Sequence, residues 1–132
     1  MPVLSDISRK RLGSCHADLQ RLVEMVAEDF PILVICGHRN KADQDAAFAA
    51  KASKLKWPHS RHNTSPSEAV DLAPLPLNWN EKKAFKALAT LVKAAADKLG
   101  VEIEWGGDWA FYDGGHFQLK TKPRLNPGTK SG

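Results

Sequence analysis

SRHNTSPSEAVDLA, residues 60–73, joins a run of turn-forming polar residues to a short apolar segment. Serine, asparagine and proline favour turns, whereas a short apolar run closed by prolines indicates a strand. The stretch therefore predicts a loop over 56–68 and a strand over 69–73. His62 lies in the loop and Asp71 lies in the strand. Folding the loop back onto the strand would bring these two side chains together.

The rest of the chain predicts three helices and three further strands. Apolar residues that recur at steps of three and four indicate helices, and short runs rich in valine and isoleucine indicate strands. The helices are predicted over 6–28 with Ser5 as N-cap, over 41–54 with Asn40 as N-cap, and from Asn78 or Asn80 to a left-handed cap at Gly100; the strands are predicted over 32–36, 101–105 and 116–119. We expect an α+β fold with the helices on one side of a small, mostly antiparallel sheet.

The composition is that of one globular domain, which we place at residues 1–119. The chain has 132 residues, of which 42% are hydrophobic and 26% are charged. No stretch approaches the roughly 18 to 20 consecutive apolar residues that span a bilayer, and no signal peptide is visible at the N-terminus. We therefore expect the protein to fold in a cytoplasm without membrane insertion. A single small domain without heptads or a long apolar patch also predicts a monomer.

The net charge of +4 lies in the last thirteen residues. Residues 120–132 carry four basic groups and no acid, so the rest of the chain holds 15 basic and 15 acidic groups. We predict a basic, flexible C-terminal tail that either helps to hold the protein on an anionic polymer or only improves solubility. A neutral body argues against a nucleic-acid-binding protein.

The two cysteines, Cys15 and Cys36, each lie in an apolar pattern. A reducing compartment disfavours a disulfide between them. We predict that both are free, buried thiols that behave as small hydrophobic residues.

His62, Asp71 and His116 form a candidate metal site. A catalytic zinc site uses three histidine or carboxylate ligands and keeps one position open for water. Asp113 lies three residues before His116, and a tight turn with positive φ angles at Gly114 and Gly115 would let both side chains converge. Asp113 would then be the general base.

Arg39 follows the first predicted strand and is a candidate for stabilising an oxyanion. The same residues also allow simpler interpretations. The sequence around His116 is also typical of a β-hairpin turn with an exposed histidine. Arg39 could equally be one partner of an ion pair on the surface. His59 lies close enough in sequence to compete with His62 as a ligand.

The order of these motifs resembles a known family over about residues 5–120. The matching pieces are Cys36-Gly37-His38-Arg39 with Gln44, Ser60-x-His62, Ala69-x-Asp71, Trp105-Gly106-Gly107-Asp108-Trp109, and Asp113-x-x-His116-Phe117. Together they are similar to the zinc D-alanyl-D-alanine carboxypeptidases, and more narrowly to the bacteriophage L-alanyl-D-glutamate endopeptidases that serve as endolysins.

The resemblance implies the fold shared by the D-alanyl-D-alanine peptidases and the hedgehog signalling domain. It also implies zinc bound by His62, Asp71 and His116, with Asp113 as general base and Arg39 as oxyanion stabiliser. The implied substrate is the stem peptide of bacterial peptidoglycan.

The implied reaction is cleavage of the L-alanyl-D-glutamate bond for host cell lysis. The enzyme would wait in the host cytoplasm and reach the periplasmic cell wall through a separate membrane pore. Two alternatives remain: a D-alanyl-D-alanine carboxypeptidase or dipeptidase, and a non-catalytic module that binds peptidoglycan.

Overall fold

The structure is a computed structural model that describes residues 4–120. The α-helices are α1 (Asp6–Leu12), α2 (Ala17–Ala27), α3 (Lys41–Ala49) and α4 (Lys82–Leu99). The strands are β1 (Ile32–Cys36), β2 (Ala69–Pro74), β3 (Ile103–Trp105) and β4 (His116–Leu119), and short 3₁₀ turns cover Arg61–Asn63 and Gly106–Asp108. The strands form one open antiparallel sheet in the order β1-β2-β4-β3, which confirms the predicted α+β class.

Most of the predicted basic tail, residues 121–132, lies outside the described residues. Within residues 4–120, no helix combines the length and the apolar character needed to cross a membrane.

The prediction of three helices is wrong, because the helix expected over 6–28 is two helices, α1 and α2. Cys15 lies between them and forms an isolated parallel β-bridge with Ser67. The His16 N–H donates to the Ser67 carbonyl at 2.8 Å, and the Ser67 N–H donates to the Ser14 carbonyl at 2.9 Å. These hydrogen bonds replace the ones that a continuous helix would make at this point.

The predicted helix caps at Ser5, Asn40 and Gly100 are confirmed, but α3 ends at Ala49 instead of residue 54, and the start of α4 also differs. Asn40 caps α3, because its side chain accepts a hydrogen bond from the backbone N–H three residues on. Gly100 ends α4 with a φ of 71°, as predicted. The predicted cap at Asn78 or Asn80 is wrong: α4 begins after Glu81, whose side chain makes no capping hydrogen bond.

One face of the sheet packs in the hydrophobic core with α2 and α4. Val70, Phe117 and Trp105 pair across β2, β4 and β3, and residues that pair across antiparallel strands lie on the same face. The core also contains Leu19, Leu22 and Val23 of α2, Leu88 and Val92 of α4, and Val34 and Leu72 of the sheet. The core fixes this face of the sheet, so polar residues of the strands point to the other face.

A bulge in β1 decides which residues reach that polar face. Val34 pairs with Leu72, but Cys36 rather than Ile35 pairs with Asp71, so β1 contains one extra residue. Asp71 pairs in turn with His116 on β4. Cys36, Asp71 and His116 therefore form a row across three strands.

Candidate active site

His62 is held in place by its own short 3₁₀ turn. The Ser60 hydroxyl accepts a hydrogen bond from the His62 N–H at 3.1 Å, and the Asn63 side chain accepts one from the Ser60 N–H at 3.0 Å. The buried imidazole has Nδ1 2.7 Å from the Gly37 carbonyl oxygen. Because a carbonyl oxygen only accepts, Nδ1 carries the proton, and Nε2 faces Asp71 Oδ1 at 3.2 Å.

Gly37 is required by a close approach of backbone segments. A Cβ at this position would collide with the Arg11 carbonyl oxygen and the Ser14 hydroxyl. A larger residue would therefore displace the carbonyl group that orients His62.

His116 approaches the same oxygen of Asp71 from β4. Its Nδ1 lies 3.1 Å from Asp71 Oδ1, and its Nε2 lies 2.8 Å from Gln118 Oε1. The Gln118 oxygen accepts a hydrogen bond from Nε2, which leaves Nδ1 directed at Asp71. The Trp109 ring packs against the His116 ring, with centroids 5.1 Å apart.

This cluster of two histidines and one carboxylate fits a cation. Burial is the largest single influence on Asp71 and His62 and opposes their charged forms, but their attraction to each other and to the neighbouring His116 and Cys36 together outweighs it. The combined effect holds the pKa of Asp71 well below its usual range and raises the pKa of His62 to about 10. The site therefore favours a positive charge between the rings and the carboxylate. Histidine nitrogens and carboxylate oxygens are also the donors that catalytic zinc prefers.

Cys36 adds a fourth candidate ligand, and its prediction as a buried hydrophobic thiol is wrong. Its side chain is only half-buried, and its Sγ lies within 4.8 Å of one donor atom each of His62 and Asp71, which also lie within that distance of each other. This group could hold a metal ion. Cys15 is buried as predicted, and burial is the main cause that raises its thiol pKa to about 12.

Substituting Cys36 tests which side chain completes the metal site. We expect Cys36→Ser to retain one equivalent of metal, with affinity lowered about tenfold at most, because the His116 nitrogen already lies 3.1 Å from Asp71 Oδ1. Metal content per chain, measured after dialysis against a graded series of chelator concentrations, checks this. Complete loss of metal in Cys36→Ser, with retention in His116→Ala, would identify Cys36 as the third ligand instead.

Asp113 lies beside the cluster on the turn that leads into β4. The Asp113 N–H donates to the Gly106 carbonyl at 3.0 Å, and the His116 N–H donates to the Asp113 carbonyl at 3.2 Å. Burial, and then the negative charge of Asp71, raise the pKa of the Asp113 carboxyl group, although nearby cationic groups oppose the shift. A raised pKa suits a carboxyl group that transfers protons near neutrality.

The predicted positive φ angles at Gly114 and Gly115 are wrong. Among residues 4–120, Gly100 is the only glycine with a positive φ. A Cβ on Gly115 would lie 2.8 Å from the Leu72 carbonyl oxygen, and a Cβ on Gly114 would collide with the Tyr112 ring. Glycine is needed at position 115 because the backbone of β2 approaches it closely, whereas Gly114 meets only the end of the exposed Tyr112 side chain, which can move.

Arg39 is fixed at the site by three contacts. Its Nη2 lies 3.6 Å from Asp71 Oδ2, its Nη1 donates to Gln44 Oε1 at 2.9 Å, and its backbone N–H donates to the His62 carbonyl at 2.8 Å. Gln44 is fully buried on α3 and also accepts a hydrogen bond from Asn63 Nδ2 at 3.1 Å. Gln44 thus orients the guanidinium group, a role that the sequence analysis did not assign.

All five predicted site residues line one cleft of about 310 Å³. They are Arg39, His62, Asp71, Asp113 and His116. His59 is exposed and does not line this cleft, so the structure brings His62 rather than His59 to the cluster. A larger groove of about 560 Å³ lies beside β3, but none of the five residues lines it.

A cleft of this kind can bind a cation, accept a proton from water and stabilise an oxyanion, which is the chemistry of hydrolytic enzymes. Comparison with known proteins agrees with hydrolytic chemistry. The model of the family described as phage L-alanyl-D-glutamate peptidase matches residues 3–122. The chain belongs to this family, as the sequence resemblance predicted.

Two relatives illustrate the similarity. The chain is 30% identical over 130 residues to the L-alanyl-D-glutamate peptidase of Escherichia phage T5, covering 85% of this chain and 93% of the relative. It is also similar to the crystal structure of the Serratia marcescens L-Ala D-Glu endopeptidase ChiX, with 31% identity and a TM-score of 0.77. That alignment covers 90% of this chain and 91% of the ChiX chain.

Proposed function

We propose that this protein hydrolyses the L-alanyl-D-glutamate bond of peptidoglycan stem peptides with a zinc ion held by His62, Asp71 and His116. The main observation is that His62 and His116 converge on one oxygen of Asp71, at 3.2 and 3.1 Å, inside the cleft that Asp113 and Arg39 also line. The family and the two relatives are named for this bond, which supports the choice of substrate.

The residues of the cleft have separate roles in the proposed reaction. Zinc, when bound, would supply a Lewis acid for the scissile carbonyl group and for the attacking water. The Asp113 carboxylate accepts a proton from the water as its oxygen attacks the L-alanyl carbonyl carbon. The Arg39 guanidinium stabilises the oxygen that becomes negative. Asp113 then returns the proton to the D-glutamate nitrogen as the carbon–nitrogen bond breaks.

Product analysis tests this proposal. We expect zinc-loaded protein to release, from purified Gram-negative peptidoglycan, soluble peptides that begin with D-glutamate, because cleavage before that residue frees its amino group. Mass spectrometry of the soluble fraction identifies them, and a chelated sample and Asp113→Ala are the controls. Release of a terminal D-alanine instead would assign the carboxypeptidase reaction, and binding without release would assign a peptidoglycan-binding module.

The proposal includes a role in lysis of the bacterial host. The protein would accumulate in the host cytoplasm and act on the cell wall once a separate pore opens the membrane. Membership of a family of phage peptidases supports this role.

A further inference from the structure

Lys54 and Phe111 form a cation–π pair on the rim of the catalytic cleft. The Lys54 ammonium nitrogen lies 4.5 Å from the centroid of the Phe111 ring, and both residues line the cleft. The attraction between an ammonium group and an aromatic face restrains the lysine side chain. The positive charge is therefore held at the cleft mouth.

Lys54 differs from the two arginines that line this cleft. Arg39 faces Asp71 at 3.6 Å, and Arg61 faces Glu68 at 3.5 Å. Within residues 4–120, no carboxylate lies within ion-pair distance of Lys54. Its charge remains available for an anion that enters the cleft.

The proposed substrate carries carboxylates on one side of the scissile bond only. The alanine carboxyl group is part of the scissile amide, and the alanine nitrogen is joined to the neutral lactyl group of the glycan. On the other side, D-glutamate is linked onward through its γ-carboxyl group and keeps a free α-carboxylate. The third residue, diaminopimelate, adds a further carboxylate.

A positive charge at the mouth of the cleft favours such a leaving group. The Asp113 carboxyl group also lines the cleft, and a carboxylate there would repel the carboxylates of the peptide. We propose that the Lys54–Phe111 pair is a carboxylate-binding subsite that selects peptides with a free carboxylate on the leaving-group side. This inference rests on the proposed function, because it takes the stem peptide as substrate.

Lys56 provides a matched control. Its ammonium nitrogen lies 5.1 Å from the centroid of the Phe48 ring, so it forms the same kind of pair, but neither residue lines the catalytic cleft. Lys54→Gln and Lys56→Gln therefore remove the same charge from neighbouring positions. Lys54→Arg keeps the charge and can also stack on the Phe111 ring.

Three synthetic peptides test the subsite: one with free carboxylates, one with an amide at the D-glutamate α-carboxyl group, and one with an amide at the third residue. For the free peptide, we expect Lys54→Gln to raise KM about tenfold with little change in kcat, the size of one charge-assisted hydrogen bond. Lys54→Arg should restore KM, and Lys56→Gln should match the wild type. The amide that raises the wild-type KM, and removes the effect of Lys54→Gln, identifies the carboxylate that is bound.

Equal KM values for Lys54→Gln and Lys56→Gln, or for the three peptides with the wild type, would overturn the subsite and leave the proposed function standing. A wild type that cleaves none of the peptides would overturn the proposed function. Calorimetric binding of the D-glutamyl-diaminopimelate product then still tests the subsite, since Lys54→Gln should weaken binding about tenfold and Lys56→Gln should not. Equal binding by the two variants would reject it.

Discussion

Asp113→Ala is expected to lower kcat by about a hundredfold to ten-thousandfold, the usual contribution of a general acid–base group. Its carboxyl group lines the cleft, and burial together with the charge of Asp71 raises its pKa. The backbone hydrogen bonds of Asp113 to Gly106 and His116 do not depend on its side chain. The variant should therefore keep the turn, the bound metal and the thermal stability of the wild type.

Three measurements on the same preparations separate this role from a structural one: kcat on stem peptide, metal content per chain, and the thermal unfolding midpoint. Asp108→Ala is the matched control, because Asp108 is an exposed aspartate of the same loop region that pairs with Lys93 at 2.8 Å and does not line the cleft. Asp113→Asn should be as inactive as Asp113→Ala, since an amide cannot accept the proton. Near-normal turnover in either Asp113 variant would assign the base to another group.

The sheet strands were predictable because their signals are local. Turn-forming residues bound each apolar run, and the α+β class follows from the order of those runs. His62 and Asp71 flank one loop, and Asp113 and His116 flank one turn, so short loops bring them together. Arg39 could be placed because it directly follows a buried strand.

The apolar spacing conceals the break between α1 and α2, although Gly13 at the end of α1 is a local signal for a helix end. Leu12, Cys15 and Leu19 keep helical spacing across it, and all three are buried. The break depends on the β-bridge between Cys15 and Ser67, which are far apart in the chain. A tertiary contact overrides local helical preference here.

The sequence does not reveal the positions of Cys36 and Gln44, for related reasons. Regular alternation along β1 would place Cys36 on the core face with Val34, but the bulge turns it toward Asp71. Gln44 is a polar residue in an alanine-rich helix, and only the packing of α3 against Arg39 and Asn63 shows that it is fully buried. Both positions depend on how elements are arranged in three dimensions.

Substituting His62 is expected to have the second large effect on metal binding and turnover, and it distinguishes His62 from His59 as the ligand. We expect His62→Ala to lose the metal and nearly all turnover, because it removes one of the two nitrogens that converge on Asp71 Oδ1. His59→Ala is the matched control, since His59 is exposed three residues earlier and does not line the cleft. It should bind metal and turn over substrate like the wild type.

His62 is buried, so the substitution also affects the fold, and the two effects must be measured separately. Removing the ring deletes the imidazole contacts to the Gly37 carbonyl and to Asp71 inside a buried site, which lowers the free energy of unfolding by about 1–3 kcal/mol. Thermal unfolding of the metal-free proteins measures that cost, and zinc titration of the samples that remain folded measures ligation. If folded His62→Ala binds zinc as tightly as the wild type while His59→Ala does not, then the loop donates His59 instead. That result would require the loop before β2 to fold back in a different register on the metal-bound protein.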